Sequence, residues 1–340
     1  MGRVVRASGR SYGVVRGRVG ALSFLDRGDA VVTAEAVAGP FTHPALFYRN
    51  DEDYLAGTLP FVLDGLHAAE PVAVAVPGAA LRLLRTALGR DGERVRFLDM
   101  TEAGRNPGRI IPAVLRDFAD RHPGGRVRII GEPIWAGRTA AEYGACVQHE
   151  ALINLAFLGR AVTILCPYDT GGLDAGALAD AWLTHPVIIE NGQERPSHDY
   201  APQRAIAAHN EPLPPPAGIA AFPFDADRLP VAREFAVTAG ERLGLTGQRL
   251  GDLALAVAEL TTNSVVHGAG RGTVRVWARA GQVLCQVEDG GRLSDPLAGR
   301  RPAPPGQIGG RGLLMVHQVA DLVRVHTGPN GTTIRFHLGR

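Results

Sequence analysis

The chain has 340 residues, 45% of them hydrophobic and 21% charged, with a formal net charge of +2. That length suits two domains, and the composition supports buried cores and excludes global disorder. The 36 basic residues are all arginine, which excludes a Schiff-base lysine and a phosphate loop ending in Gly-Lys-Ser/Thr.

The first thirty residues carry Arg3, Arg6, Arg10, Arg16, Arg18 and Arg27 against Asp26 and Asp29. They lack the continuous apolar core of a secretory signal, so residues 1–40 are expected to be a disordered or non-native tail. With that cluster set aside the body is close to neutral, which argues against a nucleic-acid surface. No run of about 18 apolar residues predicts a membrane span. Cys146, Cys166 and Cys285 form an odd, sparse set, as expected of free thiols in a reducing cytoplasm.

Residues 41–208 alternate short apolar runs with helical patterns. Strands are predicted at 71–77, 94–100, 126–132 and 161–167. Helices are predicted at 51–70, 110–122, 139–159 and 174–185. This alternation implies a doubly wound, mainly parallel α/β sheet. Ligands of such sheets bind beyond the carboxyl ends of the strands. There the sequence places Glu132, Trp135, Tyr168 and Asp169, a candidate sensory pocket or a set of turn residues around a packed tryptophan. Cys146 and His149 lie three apart on one predicted helix, and Cys166 ends a strand. This is a conceivable thiol–metal group, with buried inert thiols as the plain alternative. The "HEALIN" stretch at 149–154, with an acid after His149, is similar to a histidine autophosphorylation site, but it lies inside an apolar helix without a dimerising helical hairpin, where a core histidine is the plain alternative. It is no His-Glu-x-x-His zinc motif either, because Asn154 stands off that spacing.

The proline-rich segment "NEPLPPPAG" (210–218) reads as a stiff linker, giving 209–222 as the boundary and 223–340 as the second domain. A strand at "FPF" (222–224) opens it. Helices follow at 226–244 and 246–268, the latter with Thr246 as N-cap. Strands at 272–280 and 282–291, a Pro/Gly/Arg-rich loop at 296–308, a helix at 309–321 and a hairpin at 322–338 complete an α+β two-layer sandwich.

On the helix 246–268, Leu250, Leu253, Val257 and Leu260 form the core stripe. Glu259, Asn263 and His267 recur every four residues on another face. Alone, such a row reads as a solvated face. Three features give it a ligand. "VEDGG" ends a strand in an acid, Asp289, followed by Gly290 and Gly291, and an acid there can accept from an adenine amino group. The loop that follows has the composition of a lid. "GGRGLL" opens a helix with exposed N–H groups and Arg311, as a phosphate site requires.

These motifs resemble the GHKL ATP-binding fold, in particular the anti-sigma-factor serine/threonine kinases of the RsbW/SpoIIAB type. "ELTTNSVVHG", "VEDGG", "GGRGLLMVHQVAD" and "GTTIRF" carry the resemblance. It implies ATP and Mg²⁺ as cofactors, with Asn263 as the Mg²⁺ ligand and Glu259 as the general base or water-orienting acid. Asp289 and Gly291 would hold adenine. Gly310, Arg311, Gly312, Leu313 and Thr332 would line the nucleotide; His267 either touches phosphate or only ends the helix, where an imidazolium suits the dipole. Leu293 stands where the family's first glycine box often has a second glycine.

The resemblance implies a sigma factor, an anti-anti-sigma protein of STAS type, or both, as partners. A non-catalytic partner-binding module and a histidine-kinase-type transmitter are the alternatives. Residues 41–208 resemble the MEDS sensory domain through "HPALFYRNDEDYLAGTLPFVLDGL", "GEPIWAGRTAAEYGACVQHEALINLAF", "CPYDTGGLDAGALADAWLTHP" and "SHDY". This implies a RecA-like topology and a small-molecule ligand, hydrocarbon derivatives being those proposed for the family. "VPGAALRLL" lacks the lysine and glycines of a phosphate loop, so no nucleotide is expected there. Homodimerisation is left open.

Overall fold

The computed structural model of the protein describes residues 41–302 and 310–340. The expected tail at 1–40 and most of the second half of the lid-like loop lie outside the described residues.

The first domain is a seven-stranded sheet of order β3-β2-β4-β5-β1-β6-β7. Its strands are β1 (Pro44–Tyr48), β2 (Val72–Val76), β3 (Val95–Asp99), β4 (Val127–Gly131), β5 (Val162–Asp169), β6 (Val187–Glu190) and β7 (Gln193–Pro196). All pair in parallel except β6 with β7. β2 reads VAVAV and is buried at every position, because helices cover both faces. The helices are α1 (Asp51–His67), α2 (Gly78–Leu88), the short α3 (Met100–Ala103), α4 (Pro107–Arg109) and α5 (Arg116–Asp120), then α6 (Ala140–Ala156), α7 (Ala175–Thr184) and α8 (Pro202–Ala208). α1 begins where the Asn50 side chain accepts the Asp53 N–H at 2.9 Å, with three acids in its first turn. The helix expected over 110–122 is broken: Ile110–Leu115 is a π-helical stretch around Pro112, which offers no N–H to the ladder. Strand β1 and the pair β6–β7 are not among the strands expected from the sequence.

The second domain stacks α9 (Leu229–Arg242), α10 (Gly247–His267) and α11 (Gly312–Val319) on an antiparallel sheet of order β11-β12-β10-β9-β8. Its strands are β8 (Phe222–Asp225), β9 (Arg271–Arg279), β10 (Gln282–Asp289), β11 (Leu322–Gly328) and β12 (Gly331–Gly339). Leu253, Val257 and Leu260 of α10 are buried against Val283, Cys285 and Phe336 of the sheet, as the apolar stripe requires. Thr246 has the extended backbone of an N-cap, but its side chain makes no capping bond, so the expected cap is one of position only. The proline-rich connection is pinned. Arg335 on β12 donates to the carbonyls of Leu213 and Pro214, each at 2.9 Å.

The two domains share buried structure. Asn106, at the start of α4, donates to the carbonyls of His317 at 2.9 Å and Ala320 at 3.3 Å at the end of α11. Its own side-chain oxygen accepts from Gly108 N at 3.0 Å. Leu297, from the loop after β10, is buried within the first domain's core. Arg300 beside it is 5% exposed, and burial lowers its guanidinium to about 10.

Candidate functional site

A cavity of about 650 Å³ opens between α10, the end of β10, the following loop and the start of α11. Its size falls in the range of small-molecule and cofactor pockets. Of the residues expected from sequence to meet a nucleotide, Asn263, His267, Asp289, Gly291, Gly310, Gly312, Leu313 and Thr332 all line it.

Two members of the polar row on α10, Asn263 and His267, line the cavity, and Glu259 stands just beyond it. Glu259 and Asn263, both half-buried, stand against the first residue of α11. A Cβ added to Gly312 would lie 2.4 Å from Glu259 Oε2 and 3.4 Å from Asn263 Nδ2, so any larger residue there would push the Glu259 carboxylate from its place. One turn further, the C-terminal end of α10 meets Asp289. Ser264 Oγ donates to Asp289 Oδ2 at 2.6 Å, and Gly291 N donates to Oδ1 at 2.8 Å. A Cβ on Gly268 would sit 2.4 Å from the Asp289 carboxyl carbon, so the same need for a bare backbone applies there. Thr332 Oγ1 holds the Gly291 carbonyl at 2.9 Å, and Thr327 Oγ1 accepts from Leu293 N at 3.0 Å. Leu293, at the departing position of the glycine box, lines the cavity and is fixed by the neighbouring β11–β12 hairpin.

Glu259 and Arg311 are not among the residues that line the cavity; Glu259 reaches the lining residue Gly312 from outside it, and Arg311 lies between Gly310 and Gly312. Arg311 occupies the N-cap position of α11, next to Gly310 at φ +73°. The glycine cradle at the head of α11, the acid–amide pair facing it and the fixed carboxylate opposite suit a nucleotide with a divalent ion. Asn263 would supply a neutral oxygen to the ion. Glu259 would face the reacting end.

Three features of the site were missed in the sequence. Ser264 sits four residues after Leu260, on the apolar stripe, where a hydroxyl reads as a helix-bonded bystander; its oxygen also lies 3.0 Å from Leu260 O, which shares the single hydroxyl proton with the nearer Asp289. Arg116 lines the cavity from the first domain, joining Arg292 and Arg301. No local pattern links residue 116 to α10. Leu297 serves both the cavity wall and the first domain's core.

The candidate sensory pocket divides. Tyr48 OH donates to Glu132 Oε1 at 3.3 Å, and burial pushes the Glu132 carboxyl up to about 8, with Tyr48 opposing and Asp169 adding to the rise. Asp169 is capped by Gly171 N at 2.9 Å. Trp135 is covered by the Arg138 guanidinium, 3.9 Å from the ring centroid. Tyr168 points to the opposite face of the sheet, as alternation along β5 demands. It is buried edge-on to His185 at 5.4 Å and does not join Glu132 and Asp169.

The other candidates of the first domain also separate. His149 is fully buried and burial holds its imidazole down near 3, which closes it to a phosphoryl donor. Cys146 is buried beside it in α6, and burial pushes its thiol up to about 12.

A doubly wound sensory-type domain docked on an α+β sandwich with a glycine-lined cavity defines a two-domain regulatory protein that binds a nucleotide. Residues 42–186 match the family model of the MEDS domain, the methanogen/methylotroph DcmR sensory domain. Residues 222–338 match that of the histidine kinase-like ATPase domain. The chain thus joins a MEDS domain to a histidine kinase-like ATPase domain, in the order read from its motifs. No curated protein matches the chain. Among the described residues no helix is long and apolar enough to cross a membrane.

Proposed function

We propose that this protein is a cytoplasmic sensor–transmitter of a sigma-factor circuit. In this reading the second domain binds Mg-ATP and phosphorylates a serine or threonine of an anti-anti-sigma partner, sequesters a sigma factor, or does both. The observation that carries it is the meeting of Glu259 and Asn263 with Gly312 at one end of a cavity whose other end is the fixed Asp289 carboxylate.

Bound Mg-ATP supplies the transferable γ-phosphoryl group and the metal charge that offsets the phosphates. Asn263 presents its oxygen to the ion without adding negative charge. Glu259 accepts the proton of the incoming hydroxyl. Asp289 accepts a hydrogen bond from the adenine amino group, and Arg116, Arg292 and Arg301 balance the polyphosphate. The contacts of Asn106 with the end of α11 and of Leu297 with the first domain's core give the sensory domain a physical grip on both borders of the cavity.

The test is labelled ATP with candidate STAS-type partners. Acid-stable label on the partner supports the serine/threonine kinase. Acid-labile label on this chain favours histidine chemistry, and partner binding without transfer favours a non-catalytic module. Asn263→Ala abolishes Mg-ATP binding by calorimetry; unchanged affinity overturns the site.

A further inference from the structure

Four metal-ligating side chains that the nucleotide site does not use converge inside the first domain. His43 precedes β1, Glu150 lies on α6, Cys166 on β5, and His185 ends α7. All four are buried to within 1% exposure, and their ligand atoms lie within 4.8 Å of one another. Glu150 Oε2 is 3.2 Å from His43 Nε2 and 3.4 Å from His185 Nε2. Cys166 Sγ is 3.3 Å from His43 Nε2 and 3.5 Å from Glu150 Oε2. A tetrahedral zinc site, with bonds of about 2.0 Å to nitrogen or oxygen and about 2.3 Å to sulfur, separates neighbouring ligand atoms by roughly 3.3–3.6 Å.

The outer contacts fix which atoms face inward. Asn154 Nδ2 donates to the carbonyls of Glu150, Ala151 and Thr184, so its oxygen is left to face His43 Nδ1 at 3.2 Å and accepts from it. His185 Nδ1 lies 3.0 Å from the Ala181 carbonyl, which can only accept, and 3.0 Å from the Thr184 hydroxyl, whose own proton goes to the Asp180 carbonyl at 2.8 Å. Both rings therefore carry the proton on Nδ1 and turn an Nε2 lone pair toward the centre, the arrangement that second-shell carbonyls impose on metal-bound histidines. Two imidazole lone pairs, a carboxylate oxygen and a sulfur then meet in a dry core, where the thiol proton alone cannot satisfy them. His185 Nε2 and Glu150 Oε1 have no hydrogen-bond partner. Unsatisfied buried acceptors are costly, and one divalent cation at the centre answers the four inward-facing atoms, with Glu150 contributing Oε2.

We propose that His43, Glu150, Cys166 and His185 bind one zinc-class divalent ion that locks the sensory domain. The mixed nitrogen, oxygen and sulfur set suits Zn²⁺ and excludes Mg²⁺ and Ca²⁺, which prefer oxygen alone. Binding displaces the Cys166 proton to solvent and leaves a thiolate–metal bond. Four protein ligands close the coordination sphere, so the ion is structural. It ties together β1, β5, α6 and the end of α7, and Tyr168 meets His185 edge-on beside it. The inference stands apart from the nucleotide reading, because none of its ligands lines that cavity.

The experiment is metal analysis of the full-length chain, purified under reducing conditions without chelator, followed by exchange with Co²⁺. The expected result is about one zinc per chain, and after exchange a tetrahedral cobalt spectrum with a thiolate charge-transfer band. Cys166→Ser removes that band and His185→Gln weakens metal affinity at least about tenfold. Cys285→Ser, in the other domain, leaves both unchanged. Should the ligand variants fail to fold, wild-type protein decides alone: added Zn²⁺ raises the Tm of metal-stripped chain if the site is real. Folded wild type that retains no metal, takes up no cobalt and shows no Tm response overturns the proposal, leaving a buried imidazolium–carboxylate group. Full metal binding in Cys166→Ser and His185→Gln overturns it as well.

Discussion

Asn106 and His317 are 211 residues apart, yet the Asn106 amide donates to the His317 carbonyl at 2.9 Å inside a fully buried contact. One side chain thus starts α4 in the sensory domain and closes α11 in the ATPase domain. Asn106→Ala loses all three side-chain bonds and costs about 1–3 kcal/mol, read as a lower denaturant midpoint. Asn106→Asp keeps the acceptor for Gly108 N but sets a carboxylate against two carbonyls, so it is the less stable variant. Equal stability of Asn106→Asp and wild type would show that the cross-domain bond contributes nothing.

Ser264 orients the acid expected to read adenine. Ser264→Ala frees Asp289 Oδ2, and the affinity for ATP falls about tenfold, the equivalent of one ordinary hydrogen bond. The loss is larger for ATP than for a triphosphate with another base. Calorimetry with both ligands checks this, and an equal loss would place Ser264 outside base recognition.

Gly312 gives the head of α11 its close approach to Glu259. Gly312→Ala drives a methyl group to within 2.4 Å of Glu259 Oε2, so the carboxylate must swing away. Phosphoryl transfer drops at least about a hundredfold, roughly 3 kcal/mol of transition-state stabilisation, while far-UV dichroism stays that of wild type. Unimpaired transfer would remove Glu259 from the reaction.

Glu132 makes the sensory domain sensitive to pH. Its carboxyl is raised by burial from 4.5 to about 8, so between these values the folded chain holds a proton that the unfolded chain has released. Stability from this group is complete below the unfolded value and is lost as pH rises toward 8, by up to about 1.4 kcal/mol per pH unit. Glu132→Gln flattens that slope in denaturant titrations run across the window. An unaltered slope would mean the proton sits elsewhere.

The sequence by itself determined what local periodicity and short motifs encode. The stripe on α10, the alternation in β9 and β10, the hairpin of β11 and β12, and the glycine-bounded ends around Asp289 and Gly312 all follow from spacing within one or two elements. The family resemblances on either side of the proline-rich segment rest on the same local signals. The tertiary structure alone decided what meets across the chain. His43 and Cys166 touch because β1 lies beside β5 in the sheet order, although 123 residues separate them. Tyr168 left the expected pocket because pleating turns it to the face of His185. Ser264, Arg116, Leu297 and Asn106 carry no signal in their own neighbourhoods, since a hydroxyl on a stripe or an arginine on a short helix reads as ordinary. Periodicity records which face of an element is buried, whereas the order of strands and the docking of two domains decide which buried groups become partners.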